Sequence, residues 1–71
     1  MKKITLSEFK ELPFGTNILV HIRIPHLDRD EKYNAVIVKD FVYYEDGKRD
    51  ERSTIEEYMY NDCTDIYIKE K

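Results

Sequence analysis

Ile18, Val20, Ile22 and Ile24 occupy every second position of the stretch 17–25, with Leu19, His21 and Arg23 between them. Alternation with period two sends the first set to one face of a pleated strand and the second set to the other. All four inward candidates are β-branched, and their stiff χ1 angles suit a pleated surface. The rest of so short a chain must help to cover that apolar face. On the outward face, Leu19 calls for a second covering layer, as barrel closure would give, or for a partner.

Upstream the spacing becomes helical. Thr5 fits an N-cap and Glu8 completes a capping box, while Ile4 and Phe9 can close a hydrophobic staple around it. Leu6, Phe9 and Leu12 share one face, and Pro13 disfavours helical geometry at Leu12, so the pattern predicts a short helix over 4–12. A helix this short holds only when docked on the sheet. Pro13-Phe14-Gly15-Thr16 then reads as a turn, with Phe14 a buried plug and Gly15 in a backbone shape that other residues would strain.

Downstream, 26–32 is polar and loop-like, and 33–44 is the longest apolar segment. If Val36 and Val38 face the core, Phe41 and Tyr43 join them only through a slip of phase. A β-bulge or sharp bend at Lys39-Asp40 would supply it; a straight strand buried on both faces is the competing view. Asp46-Gly47 predicts a two-residue type I′ turn, which sets Glu45 opposite Lys48 and Tyr44 opposite Arg49. The segment 48–52 has no apolar residue. It is either a loop or an edge strand protected from further pairing by its charges. Ser53 with Glu56, or Thr54 with Glu57, marks a second helix start; Ile55, Tyr58 and Met59 form its apolar stripe and Asn61-Asp62 its end. In the last stretch, 64–69, Ile66 and Ile68 turn inward and Tyr67 outward.

This order predicts a mainly β domain with short helices spanning 1–71, namely a small SH3-like barrel of about five strands. An α+β arrangement, a three-stranded sheet carrying one or two helices, is the alternative. The segments 5–16 (Thr-Leu-Ser-Glu-Phe-Lys-Glu-Leu-Pro-Phe-Gly-Thr) and 43–48 (Tyr-Tyr-Glu-Asp-Gly-Lys) resemble the YorP-like family of small Bacillus and prophage proteins. The resemblance extends over the whole chain and implies strands with an intervening helix in a phage-derived bacterial cytosolic protein. That family is of unknown function, so the resemblance transfers no catalytic or binding motif.

Composition narrows the chemistry. A 71-residue chain buries only roughly 60% of the surface its unfolded form exposes, and Cys63, the one cysteine, excludes an intrachain disulfide. The unpaired thiol points to the cytoplasm. A net charge of −3 gives no general attraction to nucleic acid or anionic lipid. No apolar run approaches ~20 residues, which sets membranes aside as partners. His21, His26, Cys63 and Asp28 lack zinc-site spacing. Asp28, Asp30 and Glu31 lack the EF-hand pattern and are offset by Arg29 and Lys32. Asp62 and Asp65 flank Cys63 and disfavour its thiolate. The expectation is therefore no cofactor, no metal and no catalysis.

Six tyrosines are more than so small a core can absorb. Some can cover the core with their hydroxyls in water. Exposed ones beside arginine make an amphipathic platform, since Tyr and Arg are enriched where proteins bind one another. Tyr43, Tyr44, Arg49, Arg52, Tyr60 and Tyr67 form the candidate set. The expected activity is that of a monomeric, non-enzymatic binding module with a protein partner. The alternative is a nucleic-acid-binding barrel that uses the same tyrosines with Arg and Lys.

Overall fold

The capping box at the start of the chain forms as written. In a computed structural model that describes residues 1–69, the backbone N–H of Glu8 donates to Thr5 Oγ1 at 3.2 Å. The Thr5 N–H returns the bond to Glu8 Oε1 at 3.0 Å. These bonds, and Phe9 behind them, fix α1 (Leu6–Lys10). Ahead of it stands β1 (Lys2–Ile4), too short to leave an alternation in the sequence.

The central strand is β2 (Asn17–Ile24), and it continues through a 3-10 turn at Pro25–Leu27 into β3 (Arg29–Val38). The expected loop over 26–32 is therefore mostly strand. Asp28 adopts φ 51°, a left-handed conformation that Asp tolerates, and the chain reverses in few residues. The others are β4 (Phe41–Tyr44), β5 (Arg49–Glu51), α2 (Arg52–Tyr60) and β6 (Thr64–Ile68).

All six strands join one antiparallel sheet in the order β1-β6-β2-β3-β4-β5. The mainly β reading with short helices holds. The sheet is open: β1 and β5 are free edges, so the strands do not close into a barrel, and six form where about five were expected.

Ile18, Val20 and Ile22 of β2 meet Ile4, Ile66, Ala35, Ile37 and Val42 on one face, and Phe9 and Ile55 from the two helices complete that core. Phe9 and Ile55 are fully buried, which places both helices on the same side. Leu12, Tyr58, Met59, Ile24 and Ile68 line its margin. The α2 stripe and the inward isoleucines of β6 thus stand as expected, although Glu51 is the α2 N-cap and makes no side-chain capping bond. Phe14 is 69% exposed rather than a plug. Gly15 does take a positive φ, 89°, while its N–H donates to the Ile37 carbonyl at 2.7 Å.

Two turns depart from the expected pairing, and both decide which side chains face outward. Lys39-Asp40 is a tight hairpin turn rather than a bulge: Val38 pairs with Phe41 and Lys39 takes φ 51°. Val36 and Val38 therefore leave the core to Ala35 and Ile37, and share the opposite face with Phe41 and Tyr43. In the second hairpin the Tyr44 N–H donates to the Lys48 carbonyl at 2.8 Å and closes a loop of three residues, 45–47, with Gly47 at φ 90° and its N–H bonded to the Tyr44 carbonyl. Asp46 Oδ1 accepts from the Lys48 N–H at 2.9 Å. Tyr43, not Tyr44, stands opposite Arg49. A slip of one residue exchanges the faces, and the expected Glu45–Lys48 pair does not form.

Candidate interaction face

With both helices on one side, the other side of the sheet carries Leu19, Val36, Val38, Phe41, Tyr43 and Tyr67. All are half-buried, and none belongs to the core cluster. Val36 lies beside Tyr43 and Val38 beside Phe41, so these four form a continuous apolar block over β3 and β4. Leu19 pairs with Tyr67 on the far side. Tyr67 stands three strand spacings from β4, about 14 Å at ~4.8 Å per strand.

Arg49 completes the block. Its guanidinium carbon lies 4.7 Å from the Phe41 ring centre and 5.9 Å from that of Tyr43, and Nη1 donates to the Tyr43 hydroxyl at 2.9 Å. The two rings meet edge to face, 6.2 Å apart at 65°. Stacking on aromatic faces is favourable for a guanidinium, and the hydroxyl fixes its rotation. The result is an aromatic shelf with a held cation on top.

The remaining half of this face is ionic. His21 Nε2 lies 2.6 Å from Asp30 Oδ1. Arg23 reaches Asp65 through Nη2 at 3.0 Å, with Nε 3.0 Å from the second oxygen at an angle unsuited to a hydrogen bond. It also reaches Asp62 at 3.3 Å, and Lys3 reaches Asp65 at 3.3 Å. Burial works against the Asp65 charge, but the bonds from Arg23 and Lys3 outweigh it and hold the carboxyl below its ordinary range. The hydrogen bond that Arg23 donates to Asp65 in turn raises Arg23. Lys3 and Arg23 thus offset the carboxylates of Asp65 and Asp62.

The structure divides the sequence-derived set. Tyr43, Arg49 and Tyr67 share the open face. Tyr44 lies on the core side, its hydroxyl bonded to Asp50 at 2.6 Å and its ring 5.4 Å from that of Tyr33. Burial, then Asp50, pushes the Tyr44 phenol upward. Tyr33 donates to Glu31, which Arg29 also binds at 3.0 Å. The Tyr33 and Arg29 donors keep the Glu31 carboxyl low. Tyr60 is 80% exposed at the end of α2, on the helix side. Arg52 stands apart from the shelf. Its guanidinium binds the carbonyls of Phe9 at 2.8 Å, Leu12 and Lys39 at 3.3 Å, and Lys10 at 3.4 Å, over the Phe9 ring.

Phe41, Val36 and Val38 are the members that the reading from sequence left out. Their signal was Lys39-Asp40 itself, a polar pair between two apolar runs, which fits a hairpin turn as well as a bend.

Two clefts flank the strands. One of about 760 Å³ lies where α1, α2 and the β3–β4 turn meet, lined by Phe41 with Asp40, Glu51, Glu56 and Lys10. The other, about 240 Å³, lies over Tyr33 and Tyr44 beside Arg29 and Lys48. Among the described residues, no group of three or more His, Cys, Asp or Glu side chains is disposed to hold a metal ion. No helix among these residues is long and apolar enough to cross a membrane. No family model, curated protein or solved structure matches the chain.

Proposed function

We propose that this is a non-enzymatic protein-interaction module whose contact surface is the open face of the sheet. The observation that carries the reading is the block of Val36, Val38, Phe41 and Tyr43, which no element among the described residues covers. Recognition is by a face rather than by the groove of an SH3-like barrel. A cytoplasmic phage-derived factor, as the YorP-like resemblance implies, would meet host proteins in this way. Apolar blocks ringed by polar groups are where proteins dock, and aromatic residues with arginine dominate such contacts.

A nucleic-acid reading would use the same rings. It is disfavoured by the cleft that Phe41 borders, where Asp40, Glu51 and Glu56 outnumber Lys10 and the carbonyl-bound Arg52, because a phosphate track continuing from Phe41 would meet an excess of like charge.

Selection from a random-peptide display library tests the proposal. The intact protein is expected to enrich peptides that Val38→Asp no longer retains and that Glu57→Lys, an exposed change on α2, retains fully. Absence of enrichment, or enrichment that Val38→Asp leaves intact, would overturn it.

A further inference from the structure

Four arginines lie in this chain, and three of them are already satisfied. Arg23 is paired with Asp65 and Asp62, and Arg29 with Glu31. Arg52 is bound to four carbonyls. Arg49 has no acidic partner among the described residues. Glu51 is its neighbour on the same face of β5, yet that carboxylate accepts the Ser53 hydroxyl at 3.4 Å and forms no ion pair with it.

The side chain is nonetheless held. Phe41 and Tyr43 support one side of the guanidinium, and the single bond to the Tyr43 hydroxyl leaves most of its five N–H donors free. A fork already fixed in orientation loses little entropy on taking a carboxylate, and its planar geometry matches two carboxylate oxygens. The apolar block beside it strengthens such a pair by excluding water once covered.

We infer that the Arg49–Phe41–Tyr43 shelf is a carboxylate-recognition site: it binds an Asp or Glu side chain in a protein segment whose flanking apolar residues lie on Val36 and Val38. This deepens the proposed function and rests on it. Charge complementarity identifies the occupant. One cation stands on the shelf, and the cleft at its Phe41 end carries the acids Asp40, Glu51 and Glu56 against Lys10 and the carbonyl-bound Arg52. That layout suits one carboxylate at a fixed place and opposes a run of phosphates.

The test takes the peptides selected on the intact protein. They are expected to share one acidic position beside two or more apolar residues, and to bind less tightly as salt rises. Arg49→Gln is expected to weaken them by at least about ten-fold. Changing the acid to its amide should weaken binding to the intact protein equally and add nothing in Arg49→Gln. Arg49→Glu, selected afresh, should turn the preference to Lys or Arg. Because Arg49 is exposed, both variants are expected to keep the urea midpoint of the parent, and Phe41→Leu supplies an independent loss of the stack. Peptides that bind through Val38 without an acidic position, or with no response to Arg49→Gln, would overturn this inference and leave the interaction face standing. Enrichment of nothing would overturn both. Single-stranded oligonucleotides bound with the same Arg49 dependence would overturn the assignment to a protein carboxylate.

Discussion

Arg52 opens α2, where a cation is unfavourable for its own helix dipole, yet its charge is directed at the carbonyls that end α1. The Phe9 carbonyl also accepts the Leu12 N–H at 3.2 Å, and both carbonyls lie at the negative end of the α1 dipole. One side chain thereby joins α1, α2 and the β3–β4 turn. Arg52→Met keeps part of the stem and removes the donors. It is expected to lower stability by about 2–3 kcal/mol in urea unfolding, with Arg52→Lys recovering only part of the loss. At Thr64 the balance is reversed. Its hydroxyl is buried on the core face, opposite Ile22, without a hydrogen-bond partner. Thr64→Val keeps the β-branched shape and removes the unsatisfied group, so a gain of about 1 kcal/mol is expected in the same measurement.

At the scale of elements, the two hairpin turns determine the candidate site. Gly47 at φ 90° permits the three-residue loop that sets Tyr43 against Arg49. Gly47→Ala is expected to cost about 1 kcal/mol through that conformation alone, since open space surrounds the position. Asp-Gly before a strand fits either a two-residue turn or a three-residue loop with glycine last. The residues 45–48 satisfy both, and the choice falls to cross-strand contacts that no local pattern encodes. Hence the shelf was half legible: Tyr43 and Arg49 were readable as candidates, whereas their adjacency and the part of Phe41 were not. The α1 start was fully legible, because every group in its capping box lies within four residues.

Strand pairing also sets the response to pH. Asp65, on β6 beside β2, is lowered in the folded state by Arg23 and Lys3 despite burial. A lowered carboxylate adds stability that is complete above its unfolded pKa, about 3.9, and is lost as pH falls through the folded value. Asp65→Asn is therefore expected to lower stability at neutral pH and flatten the acid limb of a urea-midpoint profile. Tyr44 is raised, chiefly by burial and then by Asp50. Its contribution is present below the unfolded pKa of about 10 and lost as pH climbs above it. Tyr44→Phe should flatten the alkaline limb.

For the whole molecule, the placement of two helices on one face decides what the other face can do. The periodicities of β2, β6, α1 and α2 were enough to identify their own share of the core, because each carries its apolar stripe within itself; the share of β3 and β4, namely Ala35, Ile37 and Val42, was read onto the wrong face. Sheet closure was not legible. Whether β1 and β5 meet depends on accumulated twist and on a three-residue β1 with no pattern of its own. The open sheet answers the question posed by Leu19: its second layer is supplied by no part of the described chain. The most direct measurement of that claim is side-chain NMR of the intact protein titrated with a selected peptide. The account predicts shifts at the methyl groups of Leu19, Val36 and Val38 and the rings of Phe41 and Tyr43. Shifts confined to Ile22, Tyr33 and Tyr44, or to the outer surface of α2, would contradict it.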